Sequence, residues 1–133
     1  MSDALKKKLG CHPEQIQEIR CLGYNYIRQG LYKEAKLLFR LLITIDPNSE
    51  YDQKTLGAIY LAIGSPIEAL HHLKIAYAIN TDDPRLSLNL AQSMLALGMN
   101  QQAKTILNIL YSMRGECADQ AEALLFSLAT TNR

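Results

Sequence analysis

The amino-acid sequence predicts an all-α chain, with three helix hairpins in line and a further helix closing the end. Three observations carry that reading. First, Leu22, Gly23, Tyr26, Gly30 and Ala35 return 34 residues later as Leu56, Gly57, Tyr60, Gly64 and Ala69. They return again after another 34 as Leu90, Ala91, Met94, Gly98 and Ala103; Phe39, Leu73 and Leu107 keep the same period. A fixed period of this length marks stacked helical units, each too small to bury its apolar face alone. Second, the apolar residues inside each unit follow the i, i+3, i+4, i+7 rhythm of amphipathic helices. Third, no stretch shows the alternation of a half-buried strand.

Length and composition agree. The 133 residues suit one domain with a continuous core. The organisation reads as a lead-in over 1–13, repeats over 14–49, 50–83 and 84–117, and a capping helix with its tail over 118–133. Composition is globular, 48% apolar and 20% charged, and with a net charge of +1 nothing in the bulk argues for nucleic acid or an anionic membrane as the partner. Leu41 to Ile45 is interrupted by Thr44, and no apolar run approaches the ~18 residues of a membrane span. The start, Met1 to Gly10, has no apolar segment after its basic residues and is not a secretory signal. Its Lys6-Lys7-Lys8 triplet reads as a solvated tail. Three cysteines, Cys11, Cys21 and Cys117, without metal-ligand spacing fit a reducing cytosol and imply neither a disulfide framework nor a metal site.

The elements follow in order. A helical turn is expected through Ala4 to Leu9. His12-Pro13-Glu14 opens the first helix, since proline is tolerated at N1 and an acid there favours the helix dipole. That helix presents Ile16, Ile19, Leu22, Gly23, Tyr26 and Ile27, and Gly30 ends it. A second runs from Tyr32 to Ile45, where Asp46-Pro47-Asn48-Ser49 stops it. Ser49 with Asp52 resembles a capping box for the third, closed at Gly64. Ser65-Pro66-x-Glu68 opens the fourth, which runs to about Asn80. Asp82-Asp83-Pro84 opens the fifth, to about Leu97, and the sixth spans Asn100 to Met113. Gly115 interrupts, and Asp119 leads into a last helix whose Leu124, Leu125 and Leu128 can cover the open end of the array. Gly23, Gly57 and Ala91 are expected to face Ala35, Ala69 and Ala103, small against small.

On these residues the sequence resembles a tetratricopeptide repeat array. The pattern of an apolar residue, L-G-x-x-Y, an alanine, an aromatic, an alanine and a proline appears as Ile19, Leu22-Gly23, Tyr26, Ala35, Phe39, Leu42 and Pro47. The second copy has Thr81 where proline is usual, and the third ends on Gly115. The resemblance implies a right-handed superhelix without catalytic chemistry or cofactor. More narrowly, three repeats with a short lead-in and one capping helix resemble the tetratricopeptide chaperones of bacterial type III secretion. Asp83-Pro84-Arg85, Leu88, Leu90-Ala91, Leu95 and Gly98 look like the third repeat of the translocator chaperones. Needle-subunit chaperones of the same systems are a related group. The lead-in is shorter than the helix those chaperones use in dimer contacts, although a homodimer stays compatible.

The resemblance also implies a concave partner-binding groove lined by the first helix of each repeat. It places there Gln17, Arg20, Tyr24, Ile27 and Arg28, then Tyr51, Lys54, Ala58, Leu61 and Ala62, then Arg85, Leu88, Gln92, Leu95 and Ala96. That set holds four cations and no acid among aliphatic and tyrosine side chains, which suits an amphipathic or extended protein segment with some acidic character. The implied function is a cytoplasmic bacterial chaperone holding an export substrate, alone or with a second small co-chaperone; the alternative is a generic repeat scaffold assembling another complex. A clamp for the C-terminal carboxylate of heat-shock proteins needs lysine and asparagine where Arg20 and Tyr24 stand, and tyrosine cannot supply the amide. His71-His72 has no acid or cysteine at i+3 or i+4 suggesting a metal or triad, so packing or surface roles account for the pair. No phosphate loop or nucleophile elbow is present. The chain reads as a binding protein, not an enzyme.

Overall fold

The computed structural model describes residues 12–131. The turn expected through Ala4 to Leu9, the lysine triplet and Cys11 lie outside the described residues. Among the described residues seven helices follow one another: α1 Pro13–Arg28, α2 Tyr32–Ile45, α3 Glu50–Ala62, α4 Pro66–Ile79, α5 Pro84–Ala96, α6 Asn100–Met113 and α7 Ala118–Thr131. Among the described residues no strand occurs. Each helix packs on its neighbours in sequence, and α3 also touches α5, so the first helices of successive hairpins share one side of the array.

Local chemistry sets the helix ends. The His12 N–H donates to Oε1 of Gln15 at the start of α1 (3.1 Å), ahead of Pro13 at N1. Ser49 Oγ accepts from the Asp52 N–H (3.3 Å), but the Asp52 side chain is committed elsewhere, so only half of the capping box forms. Ser65 makes no side-chain cap despite its sequence context. Gly30, Gly64 and Gly98 close the first helix of each hairpin at φ of 77°, 80° and 76°, a conformation that costs other residues a Cβ clash. After α6 the left-handed positions are Arg114 (φ 53°) and Cys117 (φ 72°), and not Gly115.

Inside each hairpin a small residue meets a large one. A Cβ placed on Gly23 would stand 2.6 Å from Phe39 Cε2; on Gly57 it would stand 2.6 Å from both Cγ and Cδ2 of Leu73. The facing residue is therefore the Phe39 or Leu73 position rather than Ala35 or Ala69, which are buried elsewhere in the same hairpins. The third hairpin carries Ala91 at this register, so smallness is required and glycine itself is not.

Two apolar clusters result. One joins Ala35, Phe39 and Leu42 of α2 to Leu56 and Ile59 of α3. The other runs from Ala69 and Leu73 through Leu86, Leu90 and Leu107 to Cys117, Ala121 and Leu128, so that α7 closes the end, with Leu124 and Leu125 packed against it. Tyr60 packs against both clusters and stacks on His72 (ring centroids 5.5 Å, interplanar angle 4°). His72 Nδ1 lies 2.9 Å from Oε1 of Gln53, whose Nε2 donates to the Pro47 carbonyl (2.8 Å). One side chain thus ties α4 to α3 and to the loop before it.

Two expectations follow from this packing. Gly57→Ala should destabilise by about 1–3 kcal/mol, because Leu73 is fully buried and cannot yield; urea unfolding with no loss would show that the hairpin can widen. Burial, with positive charge from His71 and Arg40, lowers the His72 pKa to about 4. The unfolded chain, with a histidine pKa near 6.5, then binds the extra proton first. Stability from this group is complete above about pH 6.5 and declines as pH falls towards 4. The loss should be on the order of 1–2 kcal/mol after allowance for partial exposure. His72→Phe should remove this portion of the pH dependence in thermal melts; an unchanged profile would assign it to other groups.

Candidate partner-binding groove

The first helices open two adjoining cavities on the side they share. One, of about 640 Å³, is lined by Gln17, Arg20, Cys21, Tyr24, Asn25, Ser49 and Tyr51. The other, of about 550 Å³, has Tyr24, Ile27 and Tyr32 on one side and Lys54, Thr55, Ala58, Ile59 and Ala62 as its middle. Asp83, Arg85, Leu86 and Asn89 form its far wall. Tyr24 belongs to both and stands between them as a half-exposed ridge.

Nine of the residues that the sequence places in the groove line these cavities: Gln17, Arg20, Tyr24, Ile27, Tyr51, Lys54, Ala58, Ala62 and Arg85. Arg28, Gln92 and Ala96 lie outside them. Leu88 is a correction. It is 1% exposed and sits in the core cluster with Cys117, Ala121 and Leu128, so the capping end of the array has taken it. Leu61 and Leu95 are partly buried against the same cluster. Each follows the hairpin contact, Gly57 or Ala91, by one helical turn and so stays on the helix face turned to its own hairpin. Sequence reasoning passed over Cys21, Thr55 and Asn89, which line the cavities and are 34 residues apart. That spacing was available as the signal.

The electrostatics differ more sharply from the expectation. Arg20 holds Asp52 with two hydrogen bonds, Nε to Oδ1 at 2.8 Å and Nη2 to Oδ2 at 2.9 Å, and Asp52 is 1% exposed. Lys54 donates to Asp83 (2.9 Å) and lies 3.4 Å from Glu50. Arg85 reaches Glu116 at 3.5 Å. Three of the four cations therefore face acids that follow them by 29 to 32 residues, one repeat along. Hydrogen bonding to Asp52 holds the Arg20 guanidinium above its usual pKa. Burial opposes charge on Lys54, but the Asp83 bond and the Asp83 and Glu50 charges outweigh it and raise the pKa. Burial also opposes ionised Asp83, yet Lys54 and the N–H groups of Leu86 and Arg85 keep that carboxyl below its usual value.

Asp83 thus caps α5 and bridges to α3 at once. Tyr51 lies between two cations, 5.8 Å from the Arg20 guanidinium carbon and 5.7 Å from Lys54 Nζ, which fixes its ring at the groove edge. The groove wall is a set of inter-repeat ion pairs with aromatic and small apolar residues between them.

Two tetratricopeptide repeat models match, over residues 22–49 and 60–125. The chain belongs to the tetratricopeptide repeat family. No curated protein matches this repeat chain by sequence. Among solved structures, PcrH of Pseudomonas aeruginosa, in complex with the chaperone-binding region of PopD, is similar at TM-score 0.82. Identity is 21%, over 93% of this chain and 98% of that one. The type III secretion chaperone SycD of Yersinia enterocolitica, with a peptide of the translocator YopD, gives 0.81 at 18% identity, over 92% and 98%. The first repeat domain of Spaghetti (RPAP3), bound to the HSP90 peptide SRMEEVD, gives 0.80 at 17%, over 90% and 94%. At these identities the likeness carries the fold alone. Among the described residues no helix is long and apolar enough to cross a membrane.

The Arg20–Asp52 pair should dominate the stability of the first junction. Arg20→Ala strands a buried carboxylate and should cost about 3 kcal/mol in urea unfolding, whereas Arg20→Met with Asp52→Leu should recover most of it. A cost below about 1 kcal/mol for Arg20→Ala would mean that water replaces the guanidinium.

Proposed function

We propose that this repeat protein is a non-catalytic chaperone of a bacterial type III secretion system, holding an export substrate in the cytoplasm before secretion. The observation that carries the reading is the preformed double cavity along α1, α3 and α5, divided by Tyr24 and lined by Ile27, Ala58 and Ala62. Such a surface can take spaced apolar anchors from a client segment without rearranging. The structures of PcrH with the chaperone-binding region of PopD and of SycD with a peptide of the translocator YopD, on the same fold, support that choice of client.

Pairing of the groove cations changes what the client must offer. Arg20, Lys54 and Arg85 already face Asp52, Asp83 and Glu116, so shape and apolar anchors select the client and acidic character adds little. The heat-shock peptide reading, which the RPAP3 likeness raises, meets the same obstacle: Arg20 is spent on Asp52, and Tyr24 supplies no amide.

Affinity capture from the native bacterium with mass spectrometry tests the proposal. Secretion-system substrates should be recovered with the wild-type chain. Tyr24→Ala with Ala58→Glu should lower that recovery at least tenfold while leaving the helical circular dichroism and melting temperature near wild type. Affinity for the recovered client should change less than about threefold between 50 and 500 mM salt, since surface charge is what such salt screens. Recovery of no secretion component, or equal recovery by the double variant, would overturn the reading.

A further inference from the structure

The solvent faces of α2 and α4 differ from that of α6. On α2, Leu37 is 64% exposed and Leu41 45%, and Lys33 and Arg40 stand exposed beside them. On α4, Ile67 is 67% exposed, with His71 and Lys74 exposed along the same side. The 34-residue period supplies a comparison within the chain. Where α2 has Lys33, Leu37 and Arg40, α6 has Gln101, Thr105 and Asn108, all exposed and all uncharged. Those three residues are what this register holds when it meets only water. Single exposed aliphatic side chains are ordinary, but Leu37 and Leu41 are one helical turn apart and interleaved with cations.

The charges on this face are handled unlike those of the groove. Among the described residues the ion pairs involve Arg20, Lys54 and Arg85, cations that line the groove cavities. Lys33, Lys36, Arg40 and Lys74 take part in none of them. Lys36 and Arg40 are four residues apart on one helix, a like-charge spacing that costs helix stability and that α2 nonetheless keeps. The two helices present one surface. Lys36 Nζ sits 5.9 Å from the ring centroid of Tyr60, whose ring stacks on His72, and His72 meets His71 edge-on at 4.9 Å. The positive charge of Arg40 also reaches His72 on α4. No residue of this face lines either groove cavity.

We propose that the α2–α4 face is a second docking site, separate from the groove, which takes an acidic amphipathic helix of a partner protein. Leu37 and Leu41, at i and i+4, are met by an apolar stripe of the same spacing, and the cations around them by carboxylates at its edges. Charge argues against a second copy using the same face, because an isologous contact would set these cations against one another. A membrane surface fits less well. Insertion needs apolar side chains segregated from charge, whereas here the two alternate along one helix, and Glu34 and Glu68 border the stripe.

The probe is a labelled synthetic helix of about 20 residues, a leucine stripe flanked by glutamates, titrated with the full chain and followed by fluorescence anisotropy. Leu37→Ala with Arg40→Glu should weaken its binding at least tenfold, with circular dichroism and melting temperature near wild type, since both residues are exposed. Lys104→Glu with Thr105→Ala on α6 should change it less than twofold. The groove variant, Tyr24→Ala with Ala58→Glu, should also change it less than twofold, so that failure here and failure of the groove reading are told apart. Raising salt from 50 to 500 mM should cost at least tenfold. A probe with glutamine in place of its leucines should bind at least tenfold more weakly. Equal binding by the α2 variant, equal binding of the glutamine probe, or loss of binding in the groove variant would overturn the proposal. So would co-sedimentation with phosphatidylserine vesicles, or self-association, that the α2 substitutions abolish, which would give this face to a membrane or to a second copy.

Discussion

One contact, made twice with glycine, sets the dimensions of the whole array: Gly23 against Phe39 and Gly57 against Leu73, with no room for a methyl group between them. It brings the two helices of a hairpin close and leaves the large side chain filling the space that a Cβ would have taken. The apolar stripe of the second helix then projects onto the next hairpin, as Phe39 and Leu42 do onto Leu56 and Ile59. A hairpin that buries only its inner seam is not stable alone, so each unit depends on the next for cover. The capping helix and the exposure of Leu22 are opposite consequences of that dependence.

The parts of the structure legible in the sequence are those decided within a few residues or by strict repetition. The glycines at 30 and 64 announced helix ends, and both take the left-handed conformation, as Gly98 does at the same register. Leu128 and its neighbours in α7 read as a cap because an amphipathic helix after a third repeat has one apolar surface to meet. What the period could not reveal was the partner of each small residue. Leu73 and Ala69 lie one turn apart on the same face, and only the stagger of the two helices decides which meets Gly57.

The cavities along α1, α3 and α5 were legible in outline, but one register was read without its inter-repeat contacts. The residues at 20, 54 and 88 share a register and were read together as partner-facing. Arg20 and Lys54 line the cavities but reach forward to Asp52 and Asp83 of the following repeat, while Leu88, which has the capping end beyond it, is buried in the core. This register serves the junction between repeats, with an ion pair where the next unit offers an acid and a leucine where it offers an apolar cap. Such pairs are 29 to 32 residues apart in the chain and depend on how one hairpin leans on the next. A helical wheel of a single repeat cannot show them.

The same ion pairs bear on how the proposed groove would discriminate. A cation held two ways by a buried carboxylate has its donors oriented and its charge offset, so it offers a client little that water and salt do not. It does hold Tyr51 in place and keep α1 and α3 at a fixed separation, with Lys54 and Asp83 doing the same for α3 and α5. The cavities beside Tyr24 therefore owe their shape to charges that are largely neutralised before any partner arrives. In the proposed reading, recognition would fall to the spacing of Tyr24, Ile27, Ala58 and Ala62, surfaces that reward a fitted apolar side chain and are indifferent to ionic strength. In the chaperone we propose, that division, charge for the walls and shape for the client, would let the array take a client segment into cavities already formed.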